Sequence, residues 1–141
     1  KYQISVPPPF IPGSEFAGEI VETGDGTEGF AVGDRVTGTG MFGAFAEQVC
    51  IGTDGLTPIP DGIDDHTAAA SGVAFRTAYH ALRSTARVAA GDDIVILGAG
   101  GGVGLAAVAL GSALGARVIA LAWSYGDRSG RLVRVDGTLG P

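Results

Sequence analysis

The chain has 141 residues, 45% of them hydrophobic and 17% charged, with 25 glycines and 7 prolines; this composition belongs to a globular, turn-rich protein and excludes overall disorder. A net charge of −6 argues against binding to a nucleic-acid backbone, which needs clustered Lys and Arg. The single cysteine, Cys50, excludes an intrachain disulfide framework and a thiolate cluster for structural zinc.

A lone cysteine fits a reducing compartment. No secretory signal pattern opens the sequence, and its apolar stretches are broken by glycines before reaching spanning length, so a cytoplasmic protein without a membrane partner is expected. Lys1-Tyr2-Gln3-Ile4 reads as the middle of a domain, which predicts truncation at the front. Pro7-Pro8-Pro9 predicts an extended polyproline approach. Phe16 to Glu22 is strand-like, and Gly24-Asp25-Gly26 after it can turn the chain tightly into a hairpin. Val32-Gly33-Asp34-Arg35-Val36 places a second turn at the mouth of another strand, and Phe45 to Ile51 supplies a third extended segment. Together these predict a small β barrel or sandwich, with Cys50 as a small core hydrophobe. Pro58 to Gly62 reads as a connector, because such a run fits neither a helix nor a central strand.

Beyond Gly62 the sequence turns alanine-rich with helical spacing. Two helices are expected, the first capped by Asp64 and the second near Thr77 to Ala86, where Ala78, Tyr79, Leu82 and Ala86 share one face. Ala90-Gly91-Asp92-Asp93 breaks the second. Ile94-Val95-Ile96-Leu97 has no polar alternation, as in a parallel strand covered by helices on both faces. Gly98 to Gly104 forms a loop, Val103 to Leu114 a helix, Gly115-Ala116 a stop and Arg117 to Ala122 the next strand. That order makes one βαβ unit.

A pyrophosphate needs converging backbone N–H groups, close approach without intervening Cβ atoms and the positive end of a helix. Gly100-Gly101-Gly102-Val103-Gly104 offers all three. The literal G-x-G-x-x-G pattern is imperfect, since Ala99 stands at its first position with Gly101 and Gly104 at the correct offsets. The alternative is a purely structural turn, but the flanking strands and helix favour a dinucleotide site. An NAD-preferring site carries an acidic residue about 20 positions further on. Ala122-Trp123-Ser124 stands there instead, so NADP is expected, with Ser124 and Arg128 able to bond its 2′-phosphate.

With these parts placed, the chain resembles the medium-chain dehydrogenase/reductase superfamily, specifically its zinc-independent, zeta-crystallin-like NADPH:quinone oxidoreductase branch. The resemblance runs from Tyr2 to about Ser124. It rests on Pro12-Gly13-Ser14-Glu15-Phe16-Ala17-Gly18, Val32-Gly33-Asp34-Arg35-Val36, Gly43-Ala44-Phe45-Ala46-Glu47, Thr77-Ala78-Tyr79-His80-Ala81-Leu82 and Gly101-Gly102-Val103-Gly104-Leu105-Ala106-Ala107. It implies an α/β protein: a partial GroES-like β barrel over residues 1–72, then the first βαβ unit of a Rossmann fold over residues 73–141, with an aberrant tail from about residue 125. Full-length relatives are expected to be homo-oligomers.

Zinc-dependent relatives place a histidine ligand at the position of Ser14 and a cysteine near Val73, and neither residue here can replace them. The resemblance therefore implies direct hydride transfer to an acceptor that needs no metal, such as a quinone or a conjugated enone, whose negative charge develops on a remote oxygen. It places Tyr2 beside the nicotinamide and substrate, as the candidate catalytic residue, and Thr77 against the cofactor near its nicotinamide end. The cofactor-binding roles of Gly101, Gly102, Val103 and Gly104 carry over directly, with Ala99 opening the motif. His66 and His80 read as structural, and Ser71 and Ser84 lack the base a hydrolase needs. After Ser124 the resemblance fails, and Arg128, Arg131 and Arg134 read as a solvated tail. A two-strand remnant of a parallel sheet would leave apolar surface on Ile94 to Leu97 and Val118 to Leu121 uncovered, which predicts poor solubility. The leading function is transfer of hydride from NADPH to quinones or activated alkenes. A 2-enoyl thioester reductase and a noncatalytic NADP-binding remnant remain as alternatives.

Overall fold

The computed structural model describes residues 5–122; Tyr2, Ser124 and the expected tail with Arg128, Arg131 and Arg134 lie outside the described residues. It is a mixed α/β chain that divides into two compact units, Lys1–Gly72 and Val73–Pro141.

In the first unit β1 (Glu15–Glu19) pairs antiparallel with β2 (Arg35–Thr39), which pairs antiparallel with β3 (Leu56–Pro58) in the order β1-β2-β3. This three-stranded sheet is what the described residues show of the expected barrel. Val36 is buried at its centre. Phe16 lies opposite Gly38, and the tip of its ring comes within 2.3 Å of where a Gly38 Cβ would stand. The aromatic ring occupies the space that the glycine vacates. Pro58 sits on the edge strand, where a missing N–H breaks no interior ladder.

Three expectations change here. The turn at Gly24 to Thr27 forms, with Gly26 at φ +75°, but it lies within a long connection, residues 20–34, rather than closing a tight hairpin. The strand pair extends into that connection through Ile20 N–H to the Asp34 carbonyl at 3.0 Å and Gly33 N–H to the Ile20 carbonyl at 2.8 Å. Phe45 to Ile51 is not a strand. Its beginning is held by Gly43 N–H to Ile11 O (2.8 Å), Ala44 N–H to Gly13 O (3.1 Å) and Phe45 N–H to Pro12 O (2.9 Å), and further on it pairs with no strand among the described residues. Without a partner its alternation has no buried face, and Cys50 is exposed rather than in the core. The Pro8–Pro9 bond within the proline run is cis.

Asp64 caps α1 (Asp65–Tyr79): Thr67 N–H donates to its Oδ1 at 2.9 Å and the Thr67 hydroxyl to its Oδ2 at 2.8 Å. The Thr37 hydroxyl lies 2.9 Å from the Phe16 carbonyl and 3.2 Å from the Ala68 carbonyl, tying β2 to both β1 and α1. Arg35 adds a clamp, its Nη2 donating to the Ile63 carbonyl at 2.8 Å and its Nε to Asp65 Oδ1 at 3.2 Å.

Instead of two helices there is one run, because α1 passes directly into a π-helical turn over His80–Thr85. Ala86 N–H reaches back five residues to the Ala81 carbonyl at 2.9 Å, the wider winding of a π turn. That winding breaks the expected face: Ala78 and Leu82 are buried, but Tyr79 and Ala86 are exposed. The run ends on Arg87, the one positive-φ residue other than glycine among the described residues, at φ +54°.

The second unit then forms β4 (Asp93–Leu97), α2 (Gly102–Ala113) and β5 (Arg117–Leu121), with β4 and β5 parallel and Ile94 opposite Val118. Ile96, Ala99 and Ala120 are the buried centre, with Ala107 and Val108 of α2 packed on them. Gly111 lets the helix lie close on the sheet, since a Cβ there would stand 2.6 Å from Ile94 Cδ1. Cover on both faces of β4 is not observed: Val95 is 58% and Leu97 76% exposed. One helix can bury only one face, and in β4 alternate side chains point away from it. Among the described residues no helix is long and apolar enough to cross a membrane.

Asp93 and Arg117, facing each other across β4 and β5, form a two-pronged ion pair, Arg117 Nε donating to Asp93 Oδ1 at 2.6 Å and Nη2 to Oδ2. The hydrogen bond from Arg117 holds the Asp93 carboxyl below the usual carboxylate range. Its contribution is therefore complete at neutral pH and is lost as pH falls through the lowered folded-state value. The unfolding midpoint of Asp93→Asn should lie below that of the parent at pH 7, and the gap should close in acid. At Arg87, relief of the left-handed conformation should make Arg87→Gly more stable by about 1 kcal/mol, measured by urea unfolding.

Candidate dinucleotide site

The loop between β4 and α2 is built from backbone. Gly98 leaves β4 at φ +71°, a conformation that costs a side-chain-bearing residue but not glycine. Ala99 N–H then donates to the Leu121 carbonyl at 2.9 Å, continuing the parallel ladder while the Ala99 methyl enters the core. Gly101 N–H closes a turn onto the Gly98 carbonyl at 3.0 Å, and the Gly101 carbonyl accepts the first helical bond, from Leu105 N–H at 2.8 Å.

Gly101 is the N-cap of α2 and carries no side-chain capping bond. The N–H groups of Gly102, Val103 and Gly104 belong to the first helical turn, where no intrahelical acceptor exists. They stand at the positive end of the helix dipole, the arrangement that holds an anion. Around Gly102 a Cβ would meet nothing within 4 Å, and Gly101, Gly102 and Val103 are exposed. Gly104 is the reverse case: a Cβ there would fall 2.2 Å from the Gly98 carbonyl oxygen and 2.8 Å from Ala99 Cα. The loop and helix touch backbone to backbone. An open mouth of amides over a closely packed base fits a pyrophosphate.

Ala99 and Gly101 in the loop, and Gly102, Val103 and Gly104 in the first turn of α2, are thus gathered at one strand-to-helix junction. Thr77 stands exposed on the last turn of α1, in a different element. Tyr2 and Ser124 lie outside the described residues. Gly98, expected to open the loop, was not among the expected cofactor-binding residues. It supplies the positive φ that turns the chain out of β4, and Ala99, the next residue, is not in the left-handed region, so alanine stands there without backbone strain. The signal was a glycine immediately after an apolar strand. At the end of β5, Ala122 is half-buried, and a Gly100 Cβ would lie 3.6 Å from the Ala122 methyl. The two smallest side chains line that edge.

Residues 1–61 match the alcohol dehydrogenase GroES-like domain. The human quinone oxidoreductase is 38% identical over 115 residues, 81% of this chain and 35% of that protein. The chain belongs to the medium-chain dehydrogenase/reductase superfamily. This superfamily chain is also 44% identical over 112 residues, 79% of its length, to a mycocerosic acid synthase-like polyketide synthase of Mycolicibacterium smegmatis, of which it spans 5%. Among solved structures, it is similar to a mycobacterial protein complexed with NADPH, with a TM-score of 0.77 at 30% identity over 88% of this chain and 39% of that one. An enoyl reductase, CurK, gives a TM-score of 0.74 at 30% identity over 83% of this chain and 35% of that one. The chain spans about a third of the length of these oxidoreductases. Their likeness supports binding of a nicotinamide dinucleotide of the NAD(P) type.

At the two positions where zinc-dependent relatives are expected to carry ligands, Ser14 and Val73 are exposed. Among the described residues no three His, Cys, Asp or Glu side chains gather as a metal site. The glycines make separable predictions. Gly104→Ala must push backbone apart and should cost about 1–3 kcal/mol, whereas Gly102→Ala should leave urea stability unchanged or raise it by up to about 1 kcal/mol.

Proposed function

We propose that this chain is the part of a metal-independent oxidoreductase that binds NADPH, and that the enzyme reduces quinones or activated alkenes. The observation that carries this reading is the glycine loop, with its closed base at Gly98 and Gly104 and open amides at Gly102 and Val103. The preference for the phosphorylated cofactor is supported by Ala122-Trp123-Ser124, which bring no carboxylate to repel a 2′-phosphate, and by the likeness to a protein solved with NADPH. In this reading Ala99 to Gly104 cradle the pyrophosphate, Ser124 bonds the 2′-phosphate, and Thr77 and Tyr2 stand toward the nicotinamide. When bound, the cofactor supplies a hydride to an acceptor carbon and leaves as the oxidised nicotinamide, while the acceptor oxygen takes a proton from water. Ser14 and Val73 offer neither imidazole nor thiolate, so the acceptor must delocalise its own charge. A quinone or enone does so.

The likeness to CurK enoyl reductase supports a second reading, reduction of 2-enoyl thioesters. Calorimetry on the full chain should show NADPH bound more tightly than NADH, and Gly102→Ala should weaken NADPH roughly ten-fold, about 1.4 kcal/mol, without unfolding. Failure of both nucleotides to bind would sink the assignment. Turnover by the enzyme containing this chain, compared on a quinone and a crotonyl thioester, separates the two readings; preference for the thioester reverses their order.

A further inference from the structure

The first unit leaves several of its largest apolar side chains outside its core. Val36, Ile59 and Ala68 are buried there, whereas Phe10, Ile11, Met41, Phe42 and Phe45 are all exposed, Met41 at 69% and Phe45 at 74%. Single exposed hydrophobic residues need no explanation, but several on joined segments do. Four backbone hydrogen bonds join these two segments. Gly40 N–H donates to the Ser14 carbonyl at 2.8 Å, and the N–H groups of Gly43, Ala44 and Phe45 donate to the carbonyls of Ile11, Gly13 and Pro12. The Phe45 ring lies against Gly13, with its Cδ1 only 2.4 Å from where a Cβ would stand, while most of its surface remains open. Residues 10–14 and 39–46 carry no ionisable side chain. They belong to a unit with eleven acidic and two basic residues, a net charge of −9. A neutral apolar strip in an anionic unit suits an uncharged ligand and repels an anionic lipid surface.

We propose that Phe42 and Phe45, with Met41 and Ile11, bind a long uncharged apolar tail on the acceptor, of the kind an alkyl-substituted quinone carries. The proposal rests on the functional reading above, in which the acceptor is reduced beside Ser14 without help from a metal, and it names the class of acceptor. Ser14 is bonded directly to the strip through Gly40, so a head group at Ser14 can lay its tail along the two joined segments. The tail is stabilised there by leaving water for aromatic and aliphatic surface. A compact acceptor has nothing to place on the strip. The backbone bonds at Ser14 and at Ile11 to Gly13 hold both segments in place, so the strip is formed before a ligand arrives.

The test compares tetramethylbenzoquinone with the analogue in which one methyl is replaced by a decyl chain. Both rings are fully substituted, so neither adds to the exposed Cys50 thiol. In calorimetry on the full chain the decyl analogue should bind at least roughly ten-fold more tightly than the tetramethyl compound. The double variant Met41→Ser, Phe42→Ser should lose that difference and bind the tetramethyl compound as the parent does, with the unfolding midpoint unchanged. Val21→Ser, which removes an exposed apolar side chain outside the two segments, should leave both affinities alone. In turnover by the enzyme containing this chain, the double variant should raise KM for the decyl quinone and leave kcat unchanged. Equal binding of the two quinones to the parent, or an equal loss in Val21→Ser, would overturn the tail site. Loss of self-association in sedimentation, with the preference for the decyl quinone intact, would assign the strip to an interface between copies and overturn it as well. If NADPH binds and the enzyme reduces both quinones with equal kcat/KM, the tail site fails and the functional reading stands. If the chain binds neither NADPH nor quinone, both fail.

Discussion

The second unit depends on one contact between two pieces of backbone, the approach of α2 at Gly104 to the Gly98 carbonyl. A methyl group at Gly104 would sit 2.2 Å from that oxygen, well inside contact distance, so the helix can begin where it does only because the residue has no side chain. Everything downstream follows from that placement. The first-turn amides are set at the end of β4, the helix lies along the β4 and β5 pair, and Ala106, Ala99 and Ala120 become the buried residues. Gly111 repeats the device one register further along, against Ile94 and Val118. Small residues are used here for closeness, and closeness is what aims a helix end at an anion.

The first unit uses glycine differently. Gly38 makes room for the Phe16 ring across the strand pair, and Gly13, at φ +94°, for the Phe45 ring. In both cases an aromatic ring occupies the space that a side chain on the glycine would fill. The sheet is then fastened to the start of α1 by polar contacts, through the Thr37 hydroxyl and the Arg35 side chain. Several of these groups are exposed, so each contact contributes little by itself. Their value is geometric. They fix the entry of α1 where Asp64 caps it.

Much of this was legible beforehand because the signals are local. An apolar run without polar alternation, a glycine-rich turn, a helix of small residues and a second apolar run make a βαβ unit in almost any context, and the structure shows that order between Asp93 and Leu121. Asp64 as a cap was equally legible, since the cap is satisfied three residues away. The misreadings have a different character. Phe45 to Ile51 has strand-like residues, but a strand exists only where another chain segment meets it, and no local pattern reveals the partner. Cys50 followed that segment out of the core. The two helices near Ala78 merged through a π turn that no periodicity of 3.6 residues anticipates.

The sequence by itself therefore determined the superfamily and the loop that offers amides to an anion, because each depends on residue type and short spacing. Only the tertiary structure decided which glycine bends the loop, which face of β4 is left bare, and that Ala99 can stand at the head of the motif. Those outcomes turn on distances between atoms remote along the chain, such as a carbonyl at Gly98 facing a helix at Gly104 and an amide at Ala99 reaching Leu121. Spacing can suggest such distances, but packing sets them.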